Sequence, residues 1–362
     1  MRFSFGSSVS LLVFASAHVV SAFITGSPLL VKDSATSVSF STTALSAKLT
    51  RLPTGISPFE KSAARSRDFQ GEFRKTCQKV IQDALRDNVQ TMEIEFPPLL
   101  GGDKSKTQFD DFDNVQELNQ NQDWCVQLAP MLGIQPTWLI FPDLKECELA
   151  KEKWTGQRYR QAAVFTSLEE VTQHYTQGDE SYSKPWGATF ASGMNSLLGG
   201  NSGDAGLLGD QTALDSLNDN SPPKLHLICQ PGNSGPVEDW INVETLHKGS
   251  KGVPTVVVNG ALDKVRDGYY AAFIFPALAK ATPFYKKFES VFYLKPISDK
   301  GVYGWVYRVY PEPWQVVLQT PSKDKNGNIK VTDTVALTSD VKPTYDQAVK
   351  ALLSTSAGAT VQ

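Results

Sequence analysis

Pro254-Thr-Val-Val-Val-Asn-Gly260 (PTVVVNG) decides the fold class. Thr255 to Val258 are four consecutive β-branched residues, whose stiff side chains favour extended backbone. No polar residue alternates with them, so the strand must be covered on both faces, as in the interior of a parallel sheet. Asn259-Gly260 then ends it with turn-forming residues. Upstream, Leu225-His-Leu-Ile-Cys229 ends at Gln230-Pro231-Gly232, and Thr137-Trp-Leu-Ile-Phe141 ends at Pro142-Asp143. Ala162 to Phe165 is a shorter strand, and Thr91 to Phe96 alternates before stopping at Pro97-Pro98, which cannot continue a ladder.

Helical patterns separate these strands. Phe73, Cys77, Val80, Ile81, Ala84 and Leu85 recur at three- and four-residue steps. Asp110 to Leu132, Leu144 to Trp154, Val237 to His247, Tyr269 to Lys280, Pro283 to Glu289 and Pro343 to Leu353 are further predicted helices. Ser167, with Glu170 three residues later, forms a capping box for a helix running to Tyr175. Strand and helix thus alternate from Glu72 to Lys280. That order predicts an α/β fold with a mostly parallel, doubly wound (Rossmann-like) sheet and helices on both faces. Antiparallel strands follow towards the C-terminus. Phe292 to Leu318 holds two apolar runs around a turn, and Lys325-Asn-Gly327-Asn marks another hairpin.

The second of those runs ends in Arg308-Val-Tyr310-Pro-Glu-Pro313-Trp314-Gln315 and resumes as a strand. Together with Phe96-Pro97-Pro98 and Phe141-Pro142-Asp143, this pattern resembles the DUF1995 domain of plants, algae and cyanobacteria, over roughly residues 72 to 355. The resemblance implies an auxiliary factor for photosystem II assembly at the thylakoid that binds a protein partner. It supplies no catalytic residues.

The N-terminus carries an address. Arg2 precedes an apolar run, Val9 to Val20, that ends in Ser21-Ala22, the order of a signal peptide over residues 1–22. The run is about a dozen residues, too short to span a bilayer. Residues 23–67 begin with Phe23, are rich in Ser and Thr, and hold only Asp33 and Glu60 as acids against Lys32, Lys48, Arg51, Lys61, Arg65 and Arg67. That is transit-peptide composition. A signal peptide, an Ala-Phe junction and a basic hydroxylated segment resemble the bipartite plastid presequence of diatoms and related algae. The expected location is the plastid stroma or thylakoid surface, with peripheral membrane association and no membrane-spanning helix in the mature chain.

Composition excludes several function classes. The formal net charge is -3 with no long run of Lys or Arg, which argues against nucleic-acid binding. The four cysteines, Cys77, Cys125, Cys147 and Cys229, form no C-x-x-C and read as free thiols. No G-x-S-x-G, H-E-x-x-H or P-loop pattern occurs, so no metal site and no cofactor is expected. Residues 177–223 are rich in Gly, Ser, Asn and Asp and read as a disordered surface insertion.

Two groups of candidate residues remain. In a doubly wound sheet, ligands sit outside the carboxyl ends of the strands. Asp143, Asn233 and Asn259 fall on that rim, followed by Arg266, which has Asp143 or Asp263 as possible partners. The plainer reading is that these are turn and capping residues. Second, Arg308 and Tyr310 alternate onto one face of a strand that Pro311 and Pro313 mark as a sheet edge or bend. Tyr310 and Trp314 are then either interface anchors for a partner or aromatics that close the core. A non-catalytic partner-binding protein and a small-molecule or nucleotide-binding enzyme working at the rim are the two functional expectations.

Overall fold

The computed structural model describes residues 52, 53, 56, 57, 59, 67–98, 111–176, 221–232 and 237–360. The leader segment and the 177–223 insertion lie almost wholly outside the described residues, and so does Asn233. Nine strands form one sheet: β1 (Thr91–Glu95), β2 (Thr137–Phe141), β3 (Ala163–Ser167), β4 (Leu225–Cys229), β5 (Thr255–Val258), β6 (Glu289–Asp299), β7 (Val302–Val309), β8 (Trp314–Lys323) and β9 (Ile329–Ser339). Their spatial order is β3-β2-β4-β5-β1-β6-β7-β8-β9. The strands from β3 to β6 are parallel, and β6 to β9 are an antiparallel meander. The doubly wound α/β reading therefore holds, with the antiparallel strands added on one side.

The helices are α1 (Arg67–Arg86), α2 (Asp111–Leu132), α3 (Leu144–Lys153), α4 (Gln157–Ala162), α5 (Leu168–Thr176), α6 (Glu238–Gly249), α7 (Leu262–Arg266), α8 (Pro276–Tyr285) and α9 (Tyr345–Thr360). On one face of the sheet, α1 and α2 bury Phe73, Cys77, Ile81, Trp124 and Leu128 against Met92, Leu139, Leu227 and Val256. Phe73, Phe96, Trp124 and Phe292 meet ring to ring at 4.8–5.3 Å there. On the other face, Trp138, Ile140, Ile228 and Val257 pack against α5, α6, α7 and α8. A third cluster joins Tyr293, Val306, Trp314 and Val316 to Ala348, Val349 and Leu352 of α9. α9 sits so close to β7 that a Cβ at Gly304 would lie 2.5 Å from Val317 O and 2.6 Å from Leu352 Cδ2. All four cysteines are free and buried, as expected.

Local signals explain several element ends. The Ser167 hydroxyl accepts from Glu170 N at 3.1 Å, and the Glu170 carboxylate accepts from Ser167 N at 2.7 Å, completing the capping box. α1 ends where Asn88 adopts φ 61°, with Val89 N donating to Ala84 O at 2.9 Å.

Four expectations need correction. β1 does not present alternating faces to core and water: it lies between β5 and β6 under helices on both sides, so even Glu93 is 0% exposed. Arg308 and its neighbours are not on a sheet edge, because β7 lies between β6 and β8; the edges are β3 and β9. Pro311 and Pro313 occupy the turn linking β7 to β8, where no ladder donor is needed. Arg308 and Tyr310 do not share a face, since β7 ends at Val309: Arg308 stacks on Trp314, whereas Tyr310 packs on the α1 side. The helix expected over 269–280 starts only at Pro276, which occupies the first turn, and continues through Pro283 to Tyr285; residues 269–275 are a loop.

Candidate functional site

The rim of the parallel sheet is the first place to look. α2 follows β1 onto one face of the sheet, whereas α7 follows the adjacent β5 onto the other. α3 and α6 diverge in the same way after the neighbouring β2 and β4. Diverging connections open a crevice at the carboxyl ends of the strands. Between β1 and β5 that crevice is filled by the chain's own amides. Asn259 Oδ1 accepts from Phe96 N at 2.9 Å, Asn259 Nδ2 donates to Asn121 Oδ1 at 3.0 Å, and Asn121 Nδ2 donates to Gln230 Oε1 at 2.7 Å. Asn121, Gln230 and Asn259 are all buried. Asn259 takes φ 50°, a left-handed value that Asn tolerates better than most residues. It ties three strand ends to α2 and is a structural strut.

Between β2 and β4 the rim is acidic. Asp143 is the N-cap of α3, its Oδ1 accepting from Glu146 N at 2.8 Å. Asp239, in the first turn of α6, accepts from Gly232 N at 2.7 Å. Burial, with Asp143, Glu238 and Glu169 nearby, pushes Asp239 up to about 6 despite that bond. Burial, then Asp143 and Glu170, raises the exposed-side Glu169 as well.

A second polar centre lies where β1 meets β6. Glu93 and Glu95 point to one face of β1, Glu93 level with Ser290 and Glu95 level with Tyr293. Glu93 Oε2 accepts from Arg266 Nη1 at 2.8 Å and from Ser290 Oγ at 2.6 Å. Arg266 also donates from Nε to Tyr285 O at 3.1 Å and reaches Asp263 at 3.6 Å. Its partner is therefore Glu93, together with Asp263, and not Asp143. Asp263 accepts from Tyr293 Oη at 2.6 Å, from Lys295 Nζ at 3.3 Å, and from Lys342. Burial works against the Asp263 charge, but Lys342, the Tyr293 hydroxyl and Lys295 hold its carboxyl down to about 2. Glu95 goes the other way. Burial, then Glu93 and Asp263, pushes it up to about 8, against the opposing pull of Lys295 and Lys342. Glu93 Oε1, Glu95 Oε2 and Arg266 Nη2 are closed off from solvent with no hydrogen-bond partner in the protein.

The Arg308–Trp314 turn is built into the fold. Trp314 is 4% exposed, its ring 5.1 Å from Tyr293 and flanked by the cations of Arg308 at 5.3 Å and Lys342 at 5.5 Å. Arg308 Nη2 pairs with Glu289 at 2.6 Å, and Tyr310 Oη donates to Asp87 at 2.7 Å. Of the two readings of this aromatic pair, the core one describes Trp314.

The exposed apolar surface lies elsewhere. In the loop between α7 and α8, Phe273 is 86% exposed, Tyr269 74% and Ile274 58%. The loop is not loose: Ile274 N and Phe275 N both donate to Ala271 O at 3.0 Å. Tyr270 anchors it, with rings 5.5 Å from Trp240 and 5.4 Å from Phe275. Among the described residues, no group of three or more His, Cys, Asp or Glu is placed to hold a metal ion, and no helix is long and apolar enough to cross a membrane.

Residues 70–350 match the family described as a domain of unknown function, DUF1995. The chain belongs to the DUF1995 family. No curated protein and no solved structure matches it. In this DUF1995 chain the sequence-derived site residues divide into an α3 cap (Asp143), a strut (Asn259), a buried ion pair (Arg266) and a core corner (Arg308, Tyr310 and Trp314). Sequence reasoning passed over Glu93, Glu95, Asp263 and Lys342. Two acids at alternate positions of a strand bounded by Pro97-Pro98 were a usable signal for the first two, because a central strand rarely buries carboxylates without purpose. It also passed over Tyr269, Phe273 and Ile274, which a helix assignment had hidden.

Proposed function

We propose that this DUF1995 chain is a plastid-targeted auxiliary factor that works by holding a protein partner, with a thylakoid or photosystem component as the expected partner class. The observation that carries the partner reading is the loop at Tyr269, Phe273 and Ile274. Three large apolar side chains, two of them adjacent, stand in water on a segment braced by Tyr270 against Trp240. Exposed large hydrophobics grouped on one rigid segment mark interaction sites. Replacing Phe273 and Ile274 by Ser should strip the partner recovered from plastid extract while leaving the melting temperature unchanged. Retention of every partner by that double variant would refute the reading. The plastid address rests on Ala22-Phe23 and the basic, acid-poor segment behind it. A fluorescent fusion of residues 1–67 should enter the plastid of an alga with bipartite targeting, and Phe23→Ala should divert it; secretion of the unaltered fusion would refute it.

One observation favours a second reading, a small-molecule or nucleotide site at the strand ends. Glu95 and Asp263 are neighbouring carboxyls pushed apart, to about 8 and about 2. Such a pair holds one protonated and one ionised acid at neutral pH, the arrangement used for proton transfer. A panel of nucleotides and small metabolites screened by thermal shift tests it. A ligand whose stabilisation disappears in Asp263→Asn would support this reading, and silence across the panel would count against it.

A further inference from the structure

The apolar loop does not stand alone. Tyr270 packs on Trp240, and Trp240 follows Glu238 and Asp239, which lie within electrostatic reach of Asp143 and Glu169. An acidic surface therefore adjoins the apolar one. Helix N-termini account for part of it: Asp143 caps α3, Glu169 lies in the first turn of α5, and Glu238 and Asp239 lie in the first turn of α6. Each N-terminus supplies roughly half a positive charge. Three of them leave an excess of roughly two to three negative charges over four carboxylates. The mutual repulsion shows in the raised Asp239 and Glu169. Lys145 and Lys264, the nearby cations on α3 and α7, are turned to solvent.

We infer that the occupant of the Tyr269–Ile274 loop is a cationic amphipathic segment of a partner polypeptide, whose apolar side covers Phe273 and Ile274 and whose Lys or Arg residues face Asp143, Glu169 and Glu238. This inference rests on the partner reading above and adds the chemistry of the partner. Charge complementarity selects this occupant. An anionic bilayer would be repelled by the acidic rim, and a second copy of the chain across a two-fold axis would set acid against acid. Apolar anchors with an oppositely charged border are the arrangement of helix-in-groove recognition.

The test uses the full-length chain and three synthetic peptides of about 18 residues, or five helical turns. One is an amphipathic leucine–lysine helix, one its scrambled isomer, and one the leucine–glutamate counterpart. By fluorescence anisotropy the leucine–lysine helix should bind about tenfold or more tightly than either control, a difference of one good anchor. Its affinity should fall with added salt, fall about tenfold in the Phe273→Ser, Ile274→Ser variant, and fall severalfold in Glu169→Gln, Glu238→Gln. Equal binding of the scrambled peptide, or undiminished binding by the serine variant, would overturn the inference as mere charge attraction. Two other results would also overturn it, with the peptide unbound in each. One is binding of phosphatidylcholine or phosphatidylglycerol vesicles that the serine variant loses. The other is a concentration-dependent dimer that the serine variant loses. If the peptides fail while the serine variant still loses its plastid partner, the cationic chemistry falls and the partner reading stands. If the serine variant keeps that partner, the partner reading falls first.

Discussion

Glu95→Gln should stabilise the protein, and by an amount that grows with pH. Glu95 is level with Tyr293 on the neighbouring strand, beside Glu93 and Asp263, with Oε2 sealed from water and unpartnered. Its carboxyl rises from 4.5 to about 8. A group whose folded pKa is raised stabilises the fold below its unfolded pKa, and that contribution is lost as pH climbs through the folded value. The window is therefore about pH 4.5 to 8. At about 1.4 kcal/mol per pH unit, an interval of about three and a half units sets a ceiling of about 5 kcal/mol. Lys295 and Lys342 can swing towards an ionised Glu95, so about 2–3 kcal/mol is the working expectation. Gln has the shape of the protonated acid and never ionises. The two proteins should match in urea denaturation at pH 5, and the variant should be the more stable by about 2–3 kcal/mol at pH 9. Asp263, held at about 2, does not titrate in this range and cancels in the comparison. A stability difference that stays flat from pH 5 to 9, or that favours the natural chain at high pH, would refute the reasoning.

Other positions give sharper structural tests. Trp314→Ala removes a buried ring from between Tyr293, Arg308 and Lys342 and should cost about 3–5 kcal/mol in denaturant titration; a change below about 1 kcal/mol would return Trp314 to the surface. Arg266→Met leaves the fully buried Glu93 without its cation and should cost about 3–5 kcal/mol, with most of the loss recovered by adding Glu93→Gln. Asn259→Ala deletes the links to Phe96 N and Asn121 and should cost about 2–4 kcal/mol, read by thermal unfolding at fixed pH.

The fold was legible because its strands carry strong and local signals. The β-branched run at Thr255–Val258 and its relatives at Leu225 and Thr137 are periodic within a few residues, and the Ser167–Glu170 capping box is a four-residue pattern whose two hydrogen bonds form as expected. The polar centre was not legible in full. Asp263 and Lys342 are 79 residues apart and meet only because the antiparallel meander returns the chain over α7. The edge assignment failed for a related reason. Two prolines suit a sheet edge, but they suit a tight turn equally, and local chemistry does not tell the two apart. Residues 269–275 were misassigned because Tyr-Tyr-Ala-Ala-Phe-Ile-Phe is apolar enough to pass for a buried helix. Only the tertiary arrangement shows that Tyr270 and Phe275 turn inward while Phe273 and Ile274 do not.

The partner-docking role of this loop can be tested directly by placing a photo-crosslinking phenylalanine derivative at position 273 of the full-length chain and, as a control, at the equally exposed-type position Ile329 on the far edge strand β9. Both proteins should unfold like the natural chain. On irradiation in plastid extract, position 273 should give a discrete protein adduct that excess leucine–lysine peptide suppresses, and position 329 should not give that adduct. Absence of any adduct at 273, or the same adducts at both positions, would contradict a docking role for the Tyr269–Ile274 loop.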